Sequence, residues 1–178
     1  INAVSDISIS LNVGEVIGFL GPNGAGKSTT MKILTGFLEA DSGSIEIKKI
    51  DLSKDPINAK SIIGYLPEGA PSYSDMTVKS FLYFVGKMRG LKDELLEKRL
   101  EIMLKDINLT EVQNQIIETL SKGYKRRVGI AQALIHDPDI LILDEPTDGL
   151  DPNQKFEMRK LIKSCLLYTS PSPRDSLE

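Results

Sequence analysis

The chain has 178 residues, 40% hydrophobic and 26% charged, with a formal net charge of −3, as expected of one globular domain with a real core. That balance gives no whole-chain attraction to nucleic acid, and no apolar run approaches the roughly 20 residues of a membrane-spanning helix. A single cysteine, Cys165, excludes an internal disulfide framework and suits a reducing compartment.

In chain order, residues 2–13 alternate. Val4, Ile7, Ile9, Leu11 and Val13 are apolar, and Ser8, Ser10 and Asn12 separate the last four. This pattern predicts a half-buried strand of an antiparallel sheet. Asn12-Val13-Gly14-Glu15 reads as a turn into a second, buried strand, Val16-Ile17-Gly18-Phe19-Leu20. Directly after it stands Gly21-Pro22-Asn23-Gly24-Ala25-Gly26-Lys27-Ser28-Thr29-Thr30, which fits the phosphate-binding pattern G-x-x-x-x-G-K-[ST]. The residue types follow from the chemistry. Consecutive backbone N–H groups can wrap a polyphosphate only where no Cβ intrudes, hence Gly24 and Gly26. A helix starting near Lys27 turns its positive end to the phosphates. The Lys27 ammonium can reach the outer phosphates, and the Ser28 hydroxyl can bind Mg²⁺. Gly36 is placed to cap that helix.

Asp41-Ser42-Gly43 predicts a turn, Ser44 to Ile50 an alternating strand, Asp55-Pro56 a short helix, and Ile62 to Leu66 another strand. After the Pro/Gly/Ser-rich loop 67–75 comes a helical region from Thr77 to about Leu109, divided at Gly90. Phe81, Val85 and Met88 lie on one predicted face, and Leu96, Leu100, Met103 and Ile107 on another; both read as core. These helices predict a helical subdomain at about 75–137 within a strand-rich chain. Ser121 is a candidate helix N-cap ahead of Val128, Ala131, Gln132 and Ile135, and Pro138 ends that helix. Lys125-Arg126-Arg127 reads as a solvated basic face or as a ligand site. The sole histidine, His136, reads as a surface residue at the helix end. Ile140-Leu141-Ile142-Leu143 predicts a central parallel strand, and Asp151-Pro152 starts a last helix, Asn153 to about Leu167.

The chain begins at Ile1 rather than Met, as a chain short of its N-terminal piece would. From Tyr168 the composition turns abruptly to Ser and Pro. Residues 168–178 therefore read as a non-native tail, or alternatively as a native disordered one.

Asp144 and Glu145 close the Ile140–Leu143 run. In a parallel sheet, ligands bind at the carboxyl ends of strands. Asp144 can therefore orient Mg²⁺, and Glu145 can polarise the water that attacks a γ-phosphate.

GPNGAGKST, LSKGYKRRV, ILILDEPT and DGLDP, in this order, resemble the ATP-binding cassette of ABC transporters over about residues 1–165. IGYLPE is similar to the ATPase subunits of ABC-2 type exporters and gliding-motility systems. The interval between Lys27 and Asp144 leaves room for the helical insertion of that family. The implied fold is α/β: a P-loop NTPase core of mostly parallel sheet, an N-terminal antiparallel β-subdomain and an inserted α-helical subdomain. The implied activity is ATP hydrolysis that powers transport, with ATP and Mg²⁺ as cofactors. By the resemblance, residues Gly21 to Thr29 bind nucleotide, Ser28 and Asp144 hold the metal, and Glu145 is catalytic. Ser121, Lys122, Gly123 and Tyr124 match the signature motif, which binds nucleotide held by the other subunit, and Asp151 matches the bridging D-loop. Lys122 stands in place of the usual glycine, and Tyr124 in place of the usual glutamine. Glu68 stands where the family has a glutamine near the metal. A carboxylate can bind Mg²⁺ but donates no hydrogen bond unless protonated, so coupling to a membrane partner through the 67–75 loop is its other reading. The adenine-stacking aromatic and the switch histidine would lie outside residues 1–167. The implied partners are a second copy in a head-to-tail dimer and a separate transmembrane permease, without nucleic acid, at the cytoplasmic face of the membrane. Two other readings stay open at this point: a cassette ATPase acting on ribosomes or DNA, and a chain that binds ATP weakly without hydrolysing it.

Overall fold

The computed structural model describes residues 3–69 and 73–168, with side chains described as far as Cys165. Residues 70–72 of the 67–75 loop and residues 169–178 of the predicted tail lie outside the described residues. The chain divides into two compact units, Ile1–Ser61 together with the stretch from Cys165, and Ile62–Ser164.

In the first unit, helix α1 (Lys27–Leu34) starts at Gly26, whose φ of 85° is left-handed. It ends in a paired C-terminal bond pattern. Gly36 N–H donates to Ile33 O at 3.0 Å and Phe37 N–H to Lys32 O at 2.8 Å, with Gly36 at φ 68°. Gly36 therefore caps α1 as its position predicts. Lys60 Nζ donates to Gly36 O at 3.0 Å, tying that end to α2 (Pro56–Ser61). Asp55 opens α2 by accepting from the Asn58 N–H at 3.3 Å, with Pro56 next in line.

The alternating stretch at 44–50 is a hairpin rather than a single strand. β1 (Glu46–Ile47) and β2 (Ile50–Asp51) pair antiparallel, Glu46 opposite Asp51 and Ile47 opposite Ile50. Lys48 (φ 50°) and Lys49 (φ 68°) form the two-residue turn. Both central residues at positive φ match the twist of the flanking strands.

Two predicted strands are corrected. Among the described residues no strand forms between 3 and 45. Ile7, Ile9 and Leu11 are exposed, and in the run expected to be buried Val16 is 68% and Leu20 97% exposed. A strand needs a ladder partner for its backbone N–H and C=O groups, and the described residues supply none to either run. The turn between them does form: Glu15 N–H donates to Asn12 O at 3.1 Å, with Gly14 at φ 81°.

In the second unit, β3 (Ile63–Leu66) and β4 (Ile140–Leu143) pair parallel, Ile63 with Ile140 through Leu66 with Leu143. Helix α5 (Lys122–Leu134) lies on β3. Close approach requires glycine here. A Cβ on Gly64 would meet Ala133 O and stand 2.8 Å from Pro138 Cγ, and one on Gly129 would stand 2.6 Å from Leu66 Cδ1. Helices α3 (Val78–Met88) and α4 (Asp93–Asp106) pack together and against α5. Val78, Phe81, Leu82, Leu96, Leu100 and Ile107 are each at most 1% exposed, and each large apolar side chain buried this way contributes about 1.5–3 kcal/mol. Met88, predicted to be core, is 74% exposed. The buried stripe of α3 runs through Val78, Phe81, Leu82 and Gly86 instead, the i, i+3, i+4, i+8 face. Gly90, at φ 81°, ends α3 by donating to Lys87 O at 2.9 Å.

Two arginines close helix ends in this unit. Arg99 Nη2 donates to Leu134 O at 2.7 Å and its Nε to Ile135 O at 3.2 Å, covering the carbonyl end of α5. Arg127 Nη1 donates to Ile107 O at 3.1 Å just after α4. Lys125-Arg126-Arg127 is thus not a solvated face, because all three are only partly exposed. Helix α6 (Pro152–Tyr168) is N-capped by Asp151, whose Oδ1 accepts from Gln154 N–H at 3.0 Å. Among the described residues no helix is long and apolar enough to cross a membrane.

Candidate functional site

Residues 21–26 form a loop that runs into the first turn of α1, and its shape follows from its glycines and from Lys27. Gly24 (φ 82°) and Gly26 (φ 85°) both take left-handed backbone, which L side chains adopt only at a cost of about 1–2 kcal/mol. At Gly26 a Cβ would also meet the carbonyl of Ala3. Lys27 folds back across the loop, donating from Nζ to Gly21 O at 2.8 Å and to Pro22 O at 2.9 Å. Two of the three ammonium donors are thereby fixed, and the third stays available to a ligand. Thr30, 6% exposed, bonds Gly26 O through both its N–H (2.8 Å) and its hydroxyl (2.9 Å). Gly21, Pro22, Asn23, Gly24 and Ala25 are exposed, and Ser28 and Thr29 partly so in the first turn of α1.

In the second unit, Asp144 sits one residue past β4, with its backbone N–H donating to Leu66 O at 2.9 Å and its side chain buried. The next residue, Glu145, is exposed and takes φ 47°. Its carbonyl accepts from Asp148 N–H at 3.1 Å, starting a turn that runs through Gly149 (φ 68°) to Asp151. A bulky non-glycine residue with positive φ costs about 1 kcal/mol or more and persists only where its surroundings hold it. Glu68 is exposed beyond β3. Its charge and that of Asp144 both act on Tyr65. Burial, then Asp144, then Glu68 raise the Tyr65 phenol above its ordinary pKa of 10. Asp144 and Glu68 therefore share one neighbourhood at the carboxyl ends of β3 and β4. In the sequence, Tyr65 stands inside an apolar strand and reads only as core.

Ser121 caps α5, its Oγ accepting from Tyr124 N–H at 3.4 Å. Gly123 is buried, and a Cβ on it would stand 3.4 Å from Gln154 of α6. Asp151 holds the start of α6 through the cap already described. The N-termini of α5 and α6 thus meet, with Ser121, Gly123 and Asp151 around the junction. Nothing in the sequence pairs Gly123 with Gln154.

His136 is half-buried rather than a surface residue. Its Nε2 lies 3.1 Å from Ile63 O, and its Nδ1 is buried without a hydrogen-bond partner. Burial first, then the Arg89 guanidinium, push its pKa down to about 4.

The sequence model of the ABC transporter family matches residues 4–148. The linearmycin resistance ATP-binding protein LnrL of Bacillus subtilis (strain 168) is 41% identical over 173 residues, covering 94% of this chain and 56% of that protein. The lipopolysaccharide export system ATP-binding protein LptB of Escherichia coli (strain K12) is 36% identical, over 98% of this chain and 76% of that protein. A solved dimeric ATP-binding cassette in a post-hydrolysis state, bound to ADP and Pi, superposes with a TM-score of 0.82 at 25% identity, over 94% of this chain and 76% of that one. The chain spans little more than half the length of LnrL.

Proposed function

Because this chain belongs to the ABC transporter family, we propose that it is the ATP-binding and ATP-hydrolysing part of a subunit that drives a separate membrane permease. The observation that carries this reading is the Lys27 bridge to Gly21 O and Pro22 O above two left-handed glycines. It ties the loop together at the N-terminus of α1, where the helix dipole and first-turn N–H groups favour phosphate. The lipopolysaccharide export system relative favours an exporter. The dimeric relative favours a second copy as partner.

In this reading Gly21 to Thr29 hold the phosphates, and Lys27 meets their developing charge. Ser28 and Asp144 are hard oxygen donors of the kind Mg²⁺ takes, and Glu68 is a third candidate. Among the described residues no group of three or more His, Cys, Asp or Glu side chains could hold a metal by itself. Mg²⁺ keeps water and substrate phosphate oxygens in its shell and needs only one or two protein oxygens. The ion, when bound, neutralises charge on the phosphates. Glu145, exposed to solvent, takes a proton from the attacking water. Ser121 and Gly123 offer the N-terminus of α5 to nucleotide held by the second copy, and Asp151 sits at that same junction. The subunit works at the cytoplasmic face of the membrane, where the permease is a separate chain.

The test is made in the subunit completed to the length of its relatives. Glu145→Gln is expected to bind ATP with wild-type affinity and to lose hydrolysis by about 10²-fold or more, leaving an ATP-bound dimer in light scattering. Lys27→Ala is expected to lose nucleotide binding. Turnover unchanged in Glu145→Gln would remove Glu145 as the base, and a wild-type subunit that binds no nucleotide would overturn the reading.

A further inference from the structure

Lys122 occupies the first position of α5, directly after the Ser121 cap, in a first turn with no acidic residue. An ammonium there opposes the helix dipole, at a cost of about 0.3–1 kcal/mol. Residues that break a local rule are expected where function rather than stability selects them. The side chain is not simply extended into solvent. Its Nζ lies 3.5 Å, and its Cδ 3.8 Å, from the point where a Cβ on Gly149 would stand. Stem and head therefore both lie against the turn that begins at Glu145. That turn is held internally by two backbone bonds, Asp148 N–H to Glu145 O at 3.1 Å and Leu150 N–H to Thr147 O at 3.4 Å. It carries carboxylates at 145, 148 and 151, which favour a cation beside it. Glu145 itself stands in a left-handed conformation that needs outside support.

We propose that Lys122 is a positioning residue: its side chain, laid over Gly149, holds the 145–151 turn and with it the Glu145 carboxylate. The inference rests on the assignment of Glu145 as the base. Lys122 acts on where that carboxylate stands rather than on nucleotide affinity.

The full-length subunit is compared with its Lys122→Met and Lys122→Arg forms. Met keeps most of the stem and removes the charge. It is expected to lower kcat about tenfold, with KM for MgATP changed by less than about twofold, and to speed amide hydrogen exchange at Asp148 and Leu150. Arg is expected to restore most of kcat and the slow exchange. An unchanged kcat, a raised KM at unchanged kcat, or a loss that Arg does not repair would each overturn the proposal. A wild-type subunit without hydrolysis would remove the ATPase reading as well, whereas an active wild type with an equally active Lys122→Met form removes this inference alone.

Discussion

The backbone N–H of Asp144 donates to the carbonyl of Leu66 at 2.9 Å, one residue past the last ladder pair, Leu66 with Leu143. The main chain therefore fixes where this carboxylate stands. Asp144→Asn keeps the shape and the backbone bond. It is expected to melt within a few degrees of wild type and to lose Mg²⁺-dependent hydrolysis by about 10²-fold or more. A thermal melt paired with a phosphate-release assay checks both halves. Full activity in the variant would overturn the proposed role of Asp144 toward Mg²⁺.

Gly64 sets how closely α5 approaches β3. A methyl group there would meet Ala133 O and crowd Pro138, so the helix must lift or the strand must bend. Gly64→Ala is expected to cost about 1–3 kcal/mol, a fall of roughly 5 °C in Tm for a chain of this size. Gly18→Ala is the control. It has open space around it and no positive φ, and it should stay within about 0.5 kcal/mol of wild type. Equal melting of the two variants would contradict the packing.

His136 predicts an acid-side loss of stability. Its folded pKa is pushed down to about 4 from the ordinary 6.5, so between those values the unfolded chain takes up a proton that the folded chain refuses. Its contribution is complete above about pH 6.5 and declines as the pH falls toward 4, with a slope of at most about 1.4 kcal/mol per pH unit. Partial exposure reduces that slope. His136→Gln can keep a donor toward Ile63 O and does not titrate. Urea unfolding at pH 7 and pH 5 should show a smaller pH dependence in the variant, and equal slopes would refute the assignment.

The Lys48-Lys49 turn places two lysines at positive φ, where glycine is favoured. Lys49→Gly is expected to stabilise the β1–β2 hairpin by about 0.5–1 kcal/mol, read as a raised denaturation midpoint. A lowered midpoint would contradict the turn geometry.

These particulars show which parts of the molecule were legible in the sequence. The Ser121 cap and the Gly36 and Gly90 helix ends depend on residues within one or two turns of each other, so a short window contains their cause, whereas the apolar run at 140–143 is visible in the sequence but its partner at 63–66 is not. The loop at 21–26 is equally local, since Lys27, the residue that follows it, bonds back to its carbonyls. Met88 fits a helix face by its spacing from Phe81 and Val85, but the buried face of α3 is turned toward Leu82 and Gly86. The hairpin at 46–51 was hidden because Lys-Lys is not a turn pair by propensity and the ladder imposes the conformation. The runs at 4–13 and 16–20 carry the apolar pattern of strands, but a pattern names a face and not a partner. Tyr65 beside Asp144, Lys122 on Gly149 and Gly123 against Gln154 join segments far apart in the chain, which no spacing rule connects.

One consequence of the Lys27 bridge bears on the proposed phosphate site. Two hydrogen bonds strap the loop to the first residue of its helix, so an anion binding there would have little backbone disorder to remove.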